Sequence, residues 1–165
     1  MTLKQLQSQL AQLLSRNGLQ SMVAWPKERR VGTHNPVVLV ALEKMSCAPA
    51  GMQDYLGQQL QEATGQWQEL YGRKAQLSFT LDILALPDVG AQACTQAMDL
   101  VVRCFQTEKP VGLNVKELTG EEVVYDEKEG LLKLRCRLKC EGWLCTVGDE
   151  AGTFLDFTLR GDVNV

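Results

Sequence analysis

Residues 131 to 140 read LLKLRCRLKC, a stretch in which cations alternate with leucine and cysteine. The cations are Lys133, Arg135, Arg137 and Lys139. Because successive side chains of a β-strand point to opposite faces of a sheet, this alternation predicts a strand with the cations in one row and the apolar side chains in the core. The polar link DEKEG just before it, which follows a run containing VVY, predicts that this strand is the second half of a β-hairpin.

Three further segments have the character of strands. Residues 36–45, PVVLVALEKM, contain a β-branched apolar run that is typical of a central strand covered on both faces. Residues 76–86, QLSFTLDILAL, alternate apolar and polar side chains, which predicts one buried face. The closing FLDFTLRGDVNV predicts a final strand with Leu155, Phe157 and Leu159 on one face.

Two segments have the spacing of amphipathic helices. Residues 2–16 carry leucines along one stripe, and Asn17-Gly18 follows as a stop signal. The second helix is predicted over AQACTQAMDLVVRCF, residues 91–105, and should end before Lys109-Pro110. Between the first helix and the first strand, residues 19–35 are expected to form an extended or looped connection.

Residues 47–75 form a polar excursion that contains four glycines. A segment of this length inside a compact domain usually has a role of its own, and we expect a short helix around residues 58–71. Trp67 lies in this polar surrounding, so we predict that it contacts a partner.

The predicted elements follow the order helix, strand, strand, helix and three strands. This order indicates an α+β fold, formed by a mostly antiparallel sheet with helices packed on one side. A chain of 165 residues is long enough to bury an ordinary core, so residues 1–165 are expected to form a single domain.

The overall charge and the N-terminus exclude several classes of protein. The net charge of −3 and the pI of about 5.2 lack the basic excess of a general nucleic-acid binder. Glutamines interrupt the apolar run that a secretory signal needs, and no stretch approaches the roughly 20 apolar residues of a membrane span. We therefore expect a cytoplasmic chain without a membrane partner.

The six cysteines are expected to be reduced thiols that behave as small apolar side chains. A shared metal ion is disfavoured, because Cys136 and Cys140 on one strand would lie about 13 Å apart at roughly 3.3 Å per residue. No metal site is predicted.

The row of four cations has three interpretations. It is a solvated face balanced by Glu117, Glu121 or Glu122 on the preceding strand, or a contact surface for an acidic protein partner, or a nucleic-acid site. The last is the weakest, because no aromatic side chain interleaves the cations to stack on bases. No sequence-specific nucleic-acid partner is predicted.

No catalytic residue is predicted. The carboxylate pairs Asp54 with Glu62 and Asp126 with Glu129 lie in polar stretches, where nothing would raise a carboxyl pKa for acid–base chemistry. The lone His34 beside a proline is expected at the surface. The chain contains no G-x-S-x-G, P-loop or G-x-G-x-x-G motif.

Five segments in their order form a pattern of wider significance: the N-terminal amphipathic helix, NPVVLVALEKM, the excursion with DYLG and ELYGRKAQLSFTLDILAL, the helix GAQACTQAMDLVVRCF, and the hairpin GEEVVYDEKEGLLKLRCRLKC. This pattern resembles the tail terminator, or tail completion, proteins of long-tailed phages and of prophage-derived contractile tail particles in Gram-positive bacteria. The resemblance covers about residues 1 to 147.

The resemblance implies a small α+β protein that assembles with itself into a ring, commonly a hexamer. Such a ring caps the tail tube protein and meets the head-side connector protein. It uses no cofactor and catalyses nothing. The chain would be made in the bacterial cytoplasm and would then become part of a virion or tail particle. Trp67, Lys133, Arg135, Arg137 and Lys139 are the predicted partner contacts.

Two other classes of function stay open on the sequence alone. The first is a monomeric cytoplasmic module that recognises a small molecule or a regulator through residues 47–75. The second is an enzyme, which would require a buried cavity that holds a carboxylate or thiol with a strongly shifted pKa.

Overall fold

The computed structural model describes residues 3–26, 34–49, 54–61, 65–148 and 154–162. Two helices and seven strands follow one another along these residues. In chain order they are α1 (Leu3–Arg16), β1 (Gln20–Met22), β2 (Val37–Pro49), β3 (Tyr55–Gln61), β4 (Gln66–Ala85), α2 (Ala91–Thr107), β5 (Asn114–Asp126), β6 (Leu131–Gly148) and β7 (Phe154–Arg160).

All seven strands belong to one sheet, which has the order β1-β2-β4-β6-β5 with β3 on β4 and β7 on β6. Every pair is antiparallel except β1 with β2. The fold is therefore α+β with a mostly antiparallel sheet, as the sequence predicts.

The two longest strands, β4 and β6, carry the sheet beyond its five-stranded part. Tyr71 pairs with Tyr55 on one side and Thr146 on the other, so β3 continues the edge that β2 begins. In the same way β7 continues the edge of β5. On that side of β6, Glu141 pairs with Asn114 of β5, and two residues further along Trp143 pairs with Arg160 of β7. We call the five-stranded part, β1-β2-β4-β6-β5, the body. We call β3, β7 and the adjoining ends of β4 and β6 the arm.

The helices cover one face of the body. Alternate side chains of β4 from Ala75 to Ile83 are buried on this helix-bearing face, with Phe79 fully buried among them. On this face α1 packs against β1 and β2, whereas α2 packs against β4, β5 and β6. The leucine stripe of α1 accounts for the first contact, since Leu6, Leu10, Leu13 and Leu14 are all buried.

A second, smaller apolar cluster lies apart from the main one. Trp25 packs there with Val37, Leu84 and Leu131. Val37 and Leu84 are directly opposite each other on β2 and β4, and their alternation places them on the face that the helices do not cover. The connection after β1 therefore has a packing role, because it brings Trp25 to the end of the body.

Two small residues face each other at the boundary between body and arm. Gly142 on β6 pairs with Ala75 on β4, and the loop before β5 lies directly on Gly142. A Cβ atom on Gly142 would come within 2.7 Å of the carbonyl oxygen of Gly112 in that loop. Only glycine at this position lets the loop approach the sheet so closely.

Two sequence predictions about these elements need correction. The helix expected around residues 58–71 is wrong, because the described part of this range forms β3 and the start of β4. The strand at residues 36–45 is not central: it has only the three-residue β1 outside it, and its second half is exposed. Residues 20–22, within the connection predicted to be extended or looped, form the short strand β1, which agrees with the extended alternative.

The helices at 2–16 and 91–105 are confirmed within two residues at each end, and the hairpin around DEKEG and the final strand from Phe154 are confirmed. The segment at 76–86 is a strand as predicted, but β4 begins ten residues earlier, at Gln66. Neither helix is long and apolar enough to cross a membrane, as far as the described residues go.

Candidate interaction surfaces

The four cations of β6 lie in one row on the face of the sheet opposite the helices, which we call the charged face. Each of them meets a carboxylate of the same chain. Lys139 binds Glu117 at 2.7 Å, and Arg137 binds Glu121. These glutamates are two of the three that the sequence offered as partners, so the interpretation as a balanced face is confirmed for this half of the row.

The other half of the row converges on Asp82 in β4. Arg135 donates two hydrogen bonds to this carboxylate, at 2.8 and 3.1 Å, and the Lys133 ammonium lies 3.1 Å from it. Burial on its own would raise the pKa of Asp82, but the hydrogen bonds from Arg135 and Lys133 outweigh burial and hold the pKa below its usual value. In the sequence, Asp82 is only one polar position in an alternating strand, and nothing there marks it as a partner of the row.

A further carboxylate, Glu141, continues the charged face towards the arm. It accepts contacts from Lys74 at 3.1 Å and Lys116 at 3.3 Å, and the Lys74 hydrogen bond is the main reason that its pKa is lowered. Positive charge on this face is therefore largely matched by negative charge from its own chain. A contact between the row and an acidic partner stays a prediction.

Four large side chains stand exposed on the arm, and we call them the arm patch: Tyr55, Leu60, Trp67 and Tyr71. Their exposed fractions run from 40% for Tyr71 to 67% for Trp67. Leu60 is directly opposite Trp67, and the rings of Tyr55 and Tyr71 meet edge to face at a centroid distance of 5.6 Å. Such cross-strand neighbours share one face of a sheet.

The arm patch lies on the helix-bearing side of the sheet, beyond the end of the helices. The β4/β6 pairing runs from Tyr71↔Thr146 to Ala85↔Leu132 without a register shift. Alternation along β4 then puts Trp67 and Tyr71 on the same face as buried Phe79. Trp67 was predicted to contact a partner; its exposure agrees with that prediction, and the partner itself stays untested.

Two hydrogen bonds order the polar side chains around the arm patch. The Tyr71 hydroxyl donates to Glu69 at 2.6 Å, and this bond is the main cause that raises the tyrosine pKa. Arg73 donates to Asp54 at 2.9 Å across the base of the arm. Asp54 is the one described non-glycine residue with a positive φ, 59°, which allows a sharp entry into β3.

A groove of about 540 Å³ lies between α1 and the loop that follows α2. Its apolar floor comes from leucines of α1 together with Pro110 and Leu113, and Val111 stands at its side with 66% of its surface exposed. The basic side chains Arg16 and Lys109 also line it. We call this the helix groove, and nothing in the sequence analysis pointed to it.

The prediction that the cysteines behave as small apolar side chains is confirmed for five of the six, which are buried. Cys94, Cys104, Cys136, Cys140 and Cys145 are buried, whereas Cys47 on β2 is exposed, because the second half of that strand has no cover. Burial raises the pKa of Cys136 and of Cys140 to about 12. The described part of the chain contains no cluster of three or more side chains able to hold a metal ion.

Four of the groups considered for acid–base chemistry, His34, Asp54, Asp126 and Glu129, lie among the described residues. His34 is exposed, as expected. Asp126 accepts hydrogen bonds from the backbone of Lys128 and Glu129, so it caps the hairpin turn. Asp54 is half-buried against Arg73 instead of solvated, which corrects that expectation, and Glu62 lies outside the described residues.

The alternative function, a monomeric module that binds a small molecule or a regulator through residues 47–75, would need a concave surface formed by those residues. The described residues of that range form the ends of β2, β3 and β4, and the helix groove lies elsewhere, on α1. No alternation identifies the arm in the sequence, because Trp67, Leu70 and Tyr71 in QWQELY have the i, i+3, i+4 spacing of a helix.

Comparison with models of known protein families finds no family that matches this chain. A comparison with curated proteins likewise gives no match.

Proposed function

We propose that this chain is a structural component of a phage tail or of a prophage-derived contractile tail particle, and that it acts as a tail terminator. In this role it assembles into a ring, with six subunits as the count that the resemblance implies. The ring caps the tail tube and joins the tube to the head-side connector. The chain is made in the bacterial cytoplasm and ends in the virion or tail particle.

The observation that carries the proposal is the arm. A four-stranded extension of the sheet holds Tyr55, Leu60, Trp67 and Tyr71 on a face that the helix layer does not reach. Contiguous exposed apolar side chains with polar neighbours are typical of protein–protein contact surfaces. A ring component needs such surfaces and needs no active site.

The test is assembly of the purified chain, alone and with its tube protein. Light scattering and negative-stain microscopy should reveal rings at high concentration, or rings that form on tail tubes made from the tube protein encoded nearby. A chain that stays monomeric at about 0.5 mM and also leaves those tubes uncapped would overturn the proposal. Genes for tail sheath, tube and tape-measure proteins next to this one would support it.

A further inference from the structure

The arm patch cannot be covered by the helix groove of its own chain. Trp67 lies eight residues along β4 from Ala75, a separation of about 26 Å at 3.3 Å per residue. Ala75 is opposite Gly142, on which the loop of the helix groove rests. Because the strand between them is continuously paired, the arm cannot fold back over this distance.

The helix groove offers the chemistry that the arm patch lacks. Its floor is apolar and Val111 stands exposed at its side, while Arg16 and Lys109 bring two positive charges. Glu108 offsets one of them through a 3.8 Å contact with Arg16. The arm patch has the opposite character, since the carboxylate of Glu69 lies between Trp67 and Tyr71 on the same face.

We propose that the arm patch of one copy of this chain docks in the helix groove of a second copy. Trp67 and Leu60 pack on the apolar floor, and Glu69 faces Arg16 and Lys109 of the neighbour. The two surfaces are different, so the contact repeats head to tail, and it closes into a ring when the rotation between copies allows closure. This inference rests on the proposed ring function and names the two surfaces that build the ring.

The size of the arm fits this role. The arm strands are staggered: β3 pairs with β4 over residues 66–71, and β7 pairs with β6 over residues 143–148. At about 3.3 Å per residue and a strand spacing of about 4.8 Å, the arm segments of the four strands together give roughly 450 Å² of flat area. A stable protein–protein interface buries about 800 Å² on each partner. The arm face therefore supplies most of one side of such an interface, and its flanking side chains supply the rest.

The edges of the sheet are less suited to the contact than the arm face. The pairing of β5 shifts register between Val115 and Glu117 and again between Gly120 and Val123, and that of β2 shifts between Leu42 and Lys44. Register shifts and charged side chains on edge strands discourage pairing with a second chain. The irregular edges therefore favour the face of the arm as the contact surface.

Two variants and two matched controls test the contact. Trp67→Ala removes the centre of the arm patch, and Val111→Asp places a charge in the helix groove. Tyr125→Ala and Val124→Asp make the same kinds of change at exposed positions on β5, where the exposed fractions are 54% and 55% against 67% for Trp67 and 66% for Val111. Sedimentation velocity of the full chain should show self-association weakened about tenfold or more by the first pair and less than about twofold by the controls.

A mixing experiment tests the head-to-tail arrangement. Trp67→Ala has an intact groove, and Val111→Asp has an intact arm. Each alone should be monomeric, and a mixture of the two should form one-to-one dimers that grow no further.

A charge exchange tests the contact between Glu69 and the basic side chains of the helix groove. Glu69→Lys and Lys109→Glu should each weaken association about tenfold, and the double variant should recover most of the loss.

Three outcomes would overturn the inference, and they are distinct from failure of the proposed function. If the wild-type chain forms rings that neither Trp67→Ala nor Val111→Asp weakens, the ring stands and these surfaces are wrong. If only Trp67→Ala weakens association, the arms pair with each other. If the wild-type chain is monomeric at about 0.5 mM, this contact is absent, and binding to the tail tube then decides the proposed function separately.

Discussion

Asp82 is the residue on which the charged face depends most. Its carboxylate is the common acceptor of Lys133 and Arg135, and all three side chains are partly buried. Removing one partner of such a cluster leaves charges without compensation in a site that water reaches poorly. The balance of this face is therefore concentrated in a single carboxylate.

Asp82→Asn should lower the free energy of unfolding by about 1 to 3 kcal/mol at pH 7. Urea unfolding followed by circular dichroism measures the change. Glu117→Gln is the matched control, because it removes an exposed partner of the same row and should cost less than about 1 kcal/mol. Equal losses in the two variants would contradict the special position of Asp82.

The same carboxylate should make the protein sensitive to acid. The pKa of Asp82 is lower in the folded chain than in the unfolded one, so its contribution to stability is present above the unfolded pKa and disappears as pH falls through the folded pKa. Unfolding measured between about pH 5 and pH 2 should therefore show a shallower loss of stability in Asp82→Asn than in the wild type.

Gly142 is a second residue whose identity is dictated by contact. Gly142→Ala should destabilise the fold by about 1 to 3 kcal/mol, because the new methyl group would meet backbone atoms of the loop, which cannot move aside easily. Gly161→Ala is the control, since the nearest atom to a Cβ there is 3.5 Å away. Thermal unfolding of both variants would decide, and an unchanged Gly142→Ala would contradict the close approach.

At the scale of single elements, hydrophobic periodicity was sufficient where one face is buried. The leucines of α1 predicted their helix within one residue, and the alternation from Leu77 to Ile83 predicted the buried half of β4 and its end, but not its start at Gln66. The arm was missed because its glutamines suit a helix as well as a strand, and pairing of β3 with β4 decided between them. Strand pairing of this kind is tertiary, so local propensity does not reveal it.

The arm and the body should differ in local stability although they share β4. Residues 77–83 lie under the helices, whereas residues 66–70 lie in the arm with exposed side chains such as Trp67. Hydrogen exchange in dilute solution should be at least about tenfold faster at 66–70. Raising the protein concentration should slow exchange there and leave 77–83 unchanged; equal protection in dilute solution would contradict the distinction.

At the scale of the whole molecule, the six cysteines report on how the fold covers its core. Five are buried, and the raised pKa of Cys136 and Cys140 keeps these groups as unreactive thiols at neutral pH. A thiol reagent at pH 7.5 should therefore modify one cysteine quickly, Cys47, and the other five only after denaturation.

Cys47→Ser provides the control for this titration. The variant should show no fast-reacting thiol in the native state and should keep the stability of the wild type, because the side chain is exposed at the open end of β2. Two or more fast thiols in the native wild type would mean that the core opens more readily than its packing implies.

The layering of the molecule could be predicted from sequence, and its contact surfaces only in part. Trp67 stood out as an aromatic side chain in a polar stretch. The helix groove did not, because it joins α1 to a loop about a hundred residues away in the chain, and only the docking of helix and loop creates it. Glu117 and Glu121 were foreseen as partners of the row, since a hairpin places neighbouring strands together, whereas Asp82 reaches the row from β4.

Because β4 pairs with β6 without a register shift, the face on which the arm side chains lie is determined by the side chains of the core. Which way Trp67 points is determined by which way Phe79 points, twelve residues further along the same strand. Inserting a single residue between positions 72 and 75 would shift the alternation of side chains along β4. The arm patch would then lie on the charged face, while the packing beneath the helices stays as it is. One position in the strand thus determines the direction in which the molecule meets its neighbours.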